Sequence, residues 1–180
     1  MHLNMEPRPA SVPVLVLSGA VGVGKSTIGR CLARQLRDAD ISHALIDHEW
    51  LAYSCPVPPD DAWNERVAAQ NLAGVWSNFR AAGAERLIFC RVLEARSLLR
   101  HLAAAVPGAA ATVVQLGAPL ELVRQRLRGR EPEPGWYLDT ASELTSRLEA
   151  SDVADFVVDN GARAPDQVAA EILGLVGWLG

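Results

Sequence analysis

Five short apolar runs punctuate the chain: Val14-Leu15-Val16-Leu17, His43-Ala44-Leu45-Ile46, Leu87-Ile88-Phe89-Cys90, Thr112-Val113-Val114-Gln115-Leu116 and Phe156-Val157-Val158. Each is too short for a helix and nearly continuous in its apolar character, which is the pattern of a strand buried on both faces of a parallel sheet. Between them the apolar positions change period. Ile28, Cys31, Leu32, Gln35 and Leu36 fall close to helical spacing, and similar spacing predicts helices over about 62–82, 95–105, 119–129, 139–150 and 165–178. Strands that alternate with helices imply right-handed crossovers, hence an α/β fold with a five-stranded parallel sheet between two helical layers. The longest stretch of turn-formers, Cys55-Pro56-Val57-Pro58-Pro59-Asp60-Asp61, follows the second strand and reads as a substrate-side loop.

Composition narrows the class. The chain has 180 residues, 49% of them apolar, which suits one core, and no apolar stretch approaches the roughly 18 residues of a membrane span. Residues 1–12 carry Pro7 and Pro9 without the apolar segment of a secretory signal. They are expected to be a flexible leader to a single domain over 13–180, and nothing directs the chain out of the cytoplasm. Twenty-one acidic residues outnumber 17 basic ones, a net charge of −4, so no general attraction to nucleic acid or to acidic membranes is expected. Cys31, Cys55 and Cys90 are odd in number and far apart, as reduced thiols are.

One compositional detail points to chemistry. Sixteen of the 17 basic residues are arginine, and the single lysine, Lys25, lies in Gly19-Ala20-Val21-Gly22-Val23-Gly24-Lys25-Ser26-Thr27. This is G-x-x-x-x-G-K-[ST] between a strand and a helix, the context in which glycines let backbone N–H groups surround a phosphate at a helix N-terminus. Lys25 is placed to reach the β- and γ-phosphates of a nucleotide as a compact ammonium, and the Ser26 hydroxyl to ligate Mg²⁺.

The carboxyl ends of the other strands face the same crevice. Asp47, closing the second run, is suited to accept a proton from an attacking hydroxyl or to orient it; the alternative is a helix N-cap. Glu49 and His48 beside it are either site residues or solvated. Trp50 and Tyr53 either stack on a substrate or pack beneath the loop. Arg91, ending the third run, is suited to an anionic or polyhydroxylated acceptor. Arg66 and Asn71 either join it or lie on a solvated helix face. Arg124, Arg126, Arg128 and Arg130 lead into Pro132-Glu133-Pro134-Gly135, the composition of a lid near 128–138 that brings guanidinium groups to phosphate, or of a helix end whose dipole they satisfy.

From Val14 onward, the phosphate loop on the first strand, Asp47 ending the second, the run Leu122-Val123-Arg124-Gln125-Arg126-Leu127-Arg128-Gly129-Arg130-Glu131 and the closing Val158-Asp159-Asn160 resemble the P-loop kinases of the adenylylsulfate, gluconate, shikimate and chloramphenicol kinase type. The resemblance implies a three-layer P-loop kinase fold and ATP and Mg²⁺ as cosubstrates. It implies Thr27 near the α-phosphate, Asp47 near the acceptor hydroxyl, Arg126 and Arg130 acting from the lid, and the loop after Asn160 near adenine. Two departures stand out: the third strand carries no Walker B aspartate, which leaves Mg²⁺ to Ser26, Asp47 and water, and Asp47-His48-Glu49 matches no single member's acceptor signature. The expected activity is transfer of the γ-phosphoryl group of ATP to a hydroxyl of a small molecule, with Asp47, Glu49, Arg66 and Arg91 on the acceptor side and Lys25, Asp47, Arg91, Arg126 and Arg130 taking part in catalysis. The alternatives are a nucleoside monophosphate kinase and a non-catalytic nucleotide-binding protein. A regulatory GTPase is disfavoured, because no N-K-x-D signature exists.

Overall fold

A computed structural model describes residues 11–130 and 135–179, without the side chain of Arg130. All five apolar runs are strands: β1 Val12–Ser18, β2 His43–Asp47, β3 Arg86–Cys90, β4 Ala109–Gly117 and β5 Phe156–Asp159. They form one parallel sheet in the order β2-β3-β1-β4-β5. The helices are α1 Lys25–Asp38, α2 His48–Ala52, α3 Glu65–Ala81, α4 Leu99–Ala105, α5 Leu120–Arg130, α6 Gly135–Glu149 and α7 Pro165–Leu175.

The uniform apolarity of β1 and β3 has a direct cause in the two-residue period of a strand. Val14, Val16, Leu87 and Phe89 face a core that includes Leu72 and Trp76 of α3 and Leu102 of α4. Leu15, Leu17, Ile88 and Cys90 face the opposite core, with Ile28, Leu32 and Leu36 of α1 and Ile172 of α7. Each fully buried leucine contributes about 1.5–3 kcal/mol, so the centre of the sheet is rigid and its edges carry the chemistry. Two smaller clusters seat α5 and α6 on the loop after β1: Leu144 and Leu148 against Ala20, and Val123, Leu127 and Ala141 beside Val21.

Several boundaries differ from the periodicity. Val12, the last residue of the expected leader, belongs to β1 and pairs with Ala109; residues 1–10 lie outside the described residues. The expected helix over 95–105 opens with a 3₁₀ turn at Arg96–Leu98 before α4. Helix α6 starts at Gly135, ahead of the expected 139, since Tyr137 and Leu138 already pack on the Val123–Leu127 cluster. Of the expected lid, residues 131–134 lie outside the described residues, and its flanks are the end of α5 and the start of α6. Helix α2 had no periodic signal, being five residues long with none buried.

Candidate active site

The loop Gly19–Gly24 leaves β1 and turns directly into α1. Gly24 holds φ 110°, serves as the N-cap without any side-chain bond, and no acidic residue occupies the first turn. The leading N–H groups of a helix have no carbonyl a turn earlier to bond, so this uncapped end favours an anion. A Cβ on Gly24 would stand 2.7 Å from Asn160 Nδ2, and one on Gly22, at φ 80°, 2.7 Å from Leu127 Cγ. Gly24→Ala is therefore expected to cost roughly 1–3 kcal/mol through backbone strain, seen as a fall in Tm of several degrees, and to weaken nucleotide binding in the same titration. An unchanged Tm would show that the loop relaxes freely.

Lys25 Nζ donates to the carbonyls of Gly19 and Ala20 at 2.9 and 3.1 Å, which folds its side chain back over the loop. Ser26 Oγ donates to Asp47 Oδ2 at 2.6 Å. Asp47 also N-caps α2, its Oδ1 accepting from the Glu49 N–H at 3.2 Å. The N-cap weighed for Asp47 is thus present on Oδ1, while Oδ2 meets the Ser26 hydroxyl. The hydroxyl and carboxylate pair is a hard oxygen donor set of the kind Mg²⁺ takes, with phosphate oxygens and water to complete it.

Above the loop lies a crevice of about 370 Å³, within the range of small-ligand sites. Lys25, Ser26 and Thr27 line it with Val21, Gly22 and Gly24, and Glu49, Arg126 and Asn160 reach it from other elements. Gly19 lies behind this lining, and Ala20 and Val23 are buried in the packing beneath. Arg126 ties α5 to both neighbouring loops: its guanidinium donates to Val23 O at 3.1 Å, Asn160 O at 3.0 Å and Gly161 O at 2.9 Å. Asn160 Nδ2 donates to the same Val23 carbonyl at 2.6 Å. Helix α5, the glycine loop after β1 and the segment after β5 are thereby tied together. The side chain of Arg130 lies outside the described residues.

Arg91 and Arg66 do not line this crevice. Arg66 is on the exposed face of α3, paired with Asp60 at 2.9 Å, the solvated alternative. Asn71 Nδ2 donates to Leu51 O at 2.8 Å and so fastens α2 to α3. Arg91 is 6% exposed and turns into an adjoining cavity shared with His48, Glu65, Phe89 and His101. Its Nη2 meets Glu65 Oε1 at 3.2 Å, and its Nε donates to Val92 O at 3.1 Å. His48 Nε2 stands 3.5 Å from Glu65 Oε2, long for a hydrogen bond and best read as an ion contact when the imidazole is protonated. Trp50 and Tyr53 do not pack beneath the loop; both stand in solvent.

Glu65 positions this cluster, and sequence reasoning overlooked it. Its only signal is a place in the first turn of α3, where Asp61 caps the helix by accepting from the Glu65 and Arg66 N–H groups at 2.9 and 3.0 Å. His48 first, then Arg91 and His101, hold the Glu65 carboxyl below its ordinary range against the opposing effect of burial. A lowered carboxylate pKa stabilises the fold above the unfolded-state value of about 4.3 and loses that contribution as pH falls through the folded-state value. The Tm advantage of the wild type over Glu65→Gln should therefore be larger at about pH 5 than below about pH 4; a difference constant from about pH 5 down to about pH 3 would exclude ionic stabilisation by Glu65.

At the end of β3, Cys90 occupies the place where a Walker B aspartate was missed in the sequence. Its Sγ packs 3.7 Å from the Lys25 carbonyl, and burial pushes the thiol up to about 12, so it is a packing group and not a thiolate ligand. Among the described residues no group of three or more His, Cys, Asp or Glu stands together as a metal site, and no helix is long and apolar enough to cross a membrane. Arg163, also unsignalled by any motif, lines the far end of the crevice and pairs with Glu171 at 2.6 Å.

No family model matches the chain. It is 29% identical over 169 residues to a shikimate kinase of Geobacter sulfurreducens, covering 88% of this chain and 87% of that protein. Among solved structures, the tunicamycin resistance protein of Deinococcus radiodurans superposes with a TM-score of 0.67 at 21% identity, over 92% of this chain and 96% of that one. The APS kinase of Mycobacterium tuberculosis, in complex with AMPPNP and APS, gives 0.62 at 21% identity over 94% and 99%. A gluconokinase of Sinorhizobium meliloti 1021 gives 0.60 at 21% identity over 96% and 94%. The structural likenesses establish the three-layer α/β fold, and over most of both lengths the chain is similar to a small-molecule kinase.

Proposed function

We propose that the protein transfers the γ-phosphoryl group of ATP to a hydroxyl of a small molecule. The observation that carries this reading is the 2.6 Å contact between Ser26 Oγ and Asp47 Oδ2, which joins the phosphate loop to the carboxylate at the end of β2. A donor-side residue and an acceptor-side residue meet there, as in-line transfer requires.

In this reading the segment Gly19–Thr27 holds the triphosphate, with Thr27 toward the α-phosphate and the Asn160 loop beside the adenine. Lys25 exchanges its loop carbonyls for β- and γ-phosphate oxygens. Ser26 and Asp47 would hold Mg²⁺, which supplies charge neutralisation at the bridging phosphate oxygens. The acceptor oxygen attacks the γ-phosphorus, ADP leaves, and the hydroxyl proton passes to Asp47 or to a water that Asp47 orients. Arg126 and Arg130 approach the phosphates from the lid side. Arg91 and Glu49 belong to the acceptor half, with Arg91 acting through the cavity around Glu65, and Arg66 would join them only on leaving Asp60.

A nucleoside monophosphate kinase would need a second phosphate pocket, for which Arg66 and Arg91 are the candidates. One is paired with Asp60 and the other with Glu65, which supports the hydroxyl reading. The test is ATP consumption over panels of sugars, nucleosides, nucleotides, amino acids and hydroxylated natural products, read by mass. A gain of one phosphoryl group on a hydroxyl is expected; a gain on the phosphate of a nucleotide would overturn it.

A further inference from the structure

The acceptor half is built to receive a molecule without an anionic group. Arg91 is the only arginine at the end of β3 and the one cation the sequence offers there for an acceptor carboxylate, sulfate or phosphate. In the structure that position is already taken. Glu65 Oε1 lies 3.2 Å from Arg91 Nη2, Arg91 Nε donates to the Val92 carbonyl, and Glu65 Oε2 faces His48, so the charge of Arg91 is already compensated. With Arg91 6% and Glu65 29% exposed, the pair sits where charges are poorly screened. An incoming anion would have to expel Glu65 from Arg91 and leave two negative charges side by side.

The segment that supplies His48 and Glu65 to this cavity has the same bias. Along the segment from Asp47 to Arg66 stand five carboxylates, Asp47, Glu49, Asp60, Asp61 and Glu65, opposed by Arg66, already bound to Asp60, and by Arg91 from β3. The same segment exposes a rim of apolar rings: Trp50 at 78%, Tyr53 at 83% and Trp63 at 69%, with the Trp50 and Tyr53 centroids 6.3 Å apart. Asn64, 3% exposed, fastens that rim by donating to Ala52 O and Ser54 Oγ, each at 2.9 Å. Exposed indoles beside compensated charges favour a flat or apolar body and present no positive charge to an anion.

We infer that the acceptor is an uncharged, ring-bearing alcohol, a nucleoside or hydroxylated aromatic in chemical class, selected by the aromatic rim and by occupation of Arg91 by Glu65. The inference rests on the kinase reading above and goes beyond it by assigning Glu65 as a specificity-determining residue that acts through Arg91.

The first arm measures Mg-ATP-dependent phosphorylation of matched acceptors that share a hydroxyl framework and differ in one anionic group, such as a nucleoside and its 5′-monophosphate, or a polyhydroxylated lactone and its carboxylate. At least a ten-fold higher kcat/KM for the uncharged member of each pair is expected. Equal or better use of the anionic member overturns the inference and leaves the kinase reading standing. The second arm needs no turnover. With Mg-ADP saturating, inorganic sulfate is titrated and tryptophan fluorescence read, for the wild type and for Glu65→Gln, which keeps the shape of the side chain and removes its charge. Silence in the wild type and a saturable response in Glu65→Gln is the expected result. A saturable response in the wild type that Arg91→Met removes, or no response in folded Glu65→Gln, overturns it. Absence of ADP binding together with absence of any acceptor phosphorylation would instead count against the kinase reading, and sulfate titrated without nucleotide into the Lys25→Met chain would then decide the Arg91 site.

Discussion

Lys25→Met is expected to lower phosphoryl transfer by about 10³-fold or more, the scale of removing a preorganised charge from a transition state in a site screened from water. The physical case lies in what the lysine touches. Its ammonium rests on the Gly19 and Ala20 carbonyls at 2.9 and 3.1 Å, directly above the loop that would cradle the phosphates. Arginine is not an adequate substitute, because a planar fork is bulkier than an ammonium and directs its charge differently. The chain supplies an unusually clean control: with one lysine among 180 residues, an amine-reactive label can mark only Lys25 and the N-terminus. Mg-ATP should protect Lys25 and leave the terminus reactive, as read by peptide mass. Labelling of Lys25 that saturating nucleotide does not alter would end the assignment of the loop as the donor site.

The second large effect is expected at Asp47. Asp47→Asn keeps one oxygen to accept from the Glu49 N–H, and its NH2 can donate to Ser26 Oγ, which accepts as well as donates, so the geometry of the loop and of α2 should persist. What it loses is the negative charge and the ability to take a proton. Turnover is expected to fall about 10²–10⁴-fold, the range of general acid–base catalysis, while nucleotide affinity measured without metal stays within a few-fold. A kcat within three-fold of wild type would sink the catalytic role and leave Asp47 as a cap. A loss that excess Mg²⁺ restores would shift the role from proton acceptor to metal ligand.

The donor side was legible in the sequence because it is local. Strand, glycine turn, lysine and helix are consecutive, so spacing alone implies the N–H nest, and the positive φ of Gly22 and Gly24 follows the pattern. Asp47 was legible for a related reason: the residue that ends a buried parallel strand lies at the sheet edge where ligands bind. The acceptor side was not. Arg91 read as an available cation because its partner, Glu65, is 26 residues earlier and joins it only once α3 has docked against β3. Arg126 read as a phosphate arginine from the charge density of its segment; the three carbonyl acceptors that packing of α5 on the loop gives it were not legible.

The sequence alone determined the alternation of strands and helices, the parallel sheet buried on both faces, the glycine loop between β1 and α1 and the carboxylate at the end of β2. Each is encoded by neighbours in the chain, through period, turn chemistry and the requirement that buried backbone groups be paired. Only the tertiary structure decided which charges remain available and which are already compensated. That depends on contacts between residues 26 to 137 positions apart, such as Arg91 with Glu65 or Asn160 with Val23. A side chain's charge is a property of its residue, but its availability to a ligand depends on what the folded chain places beside it.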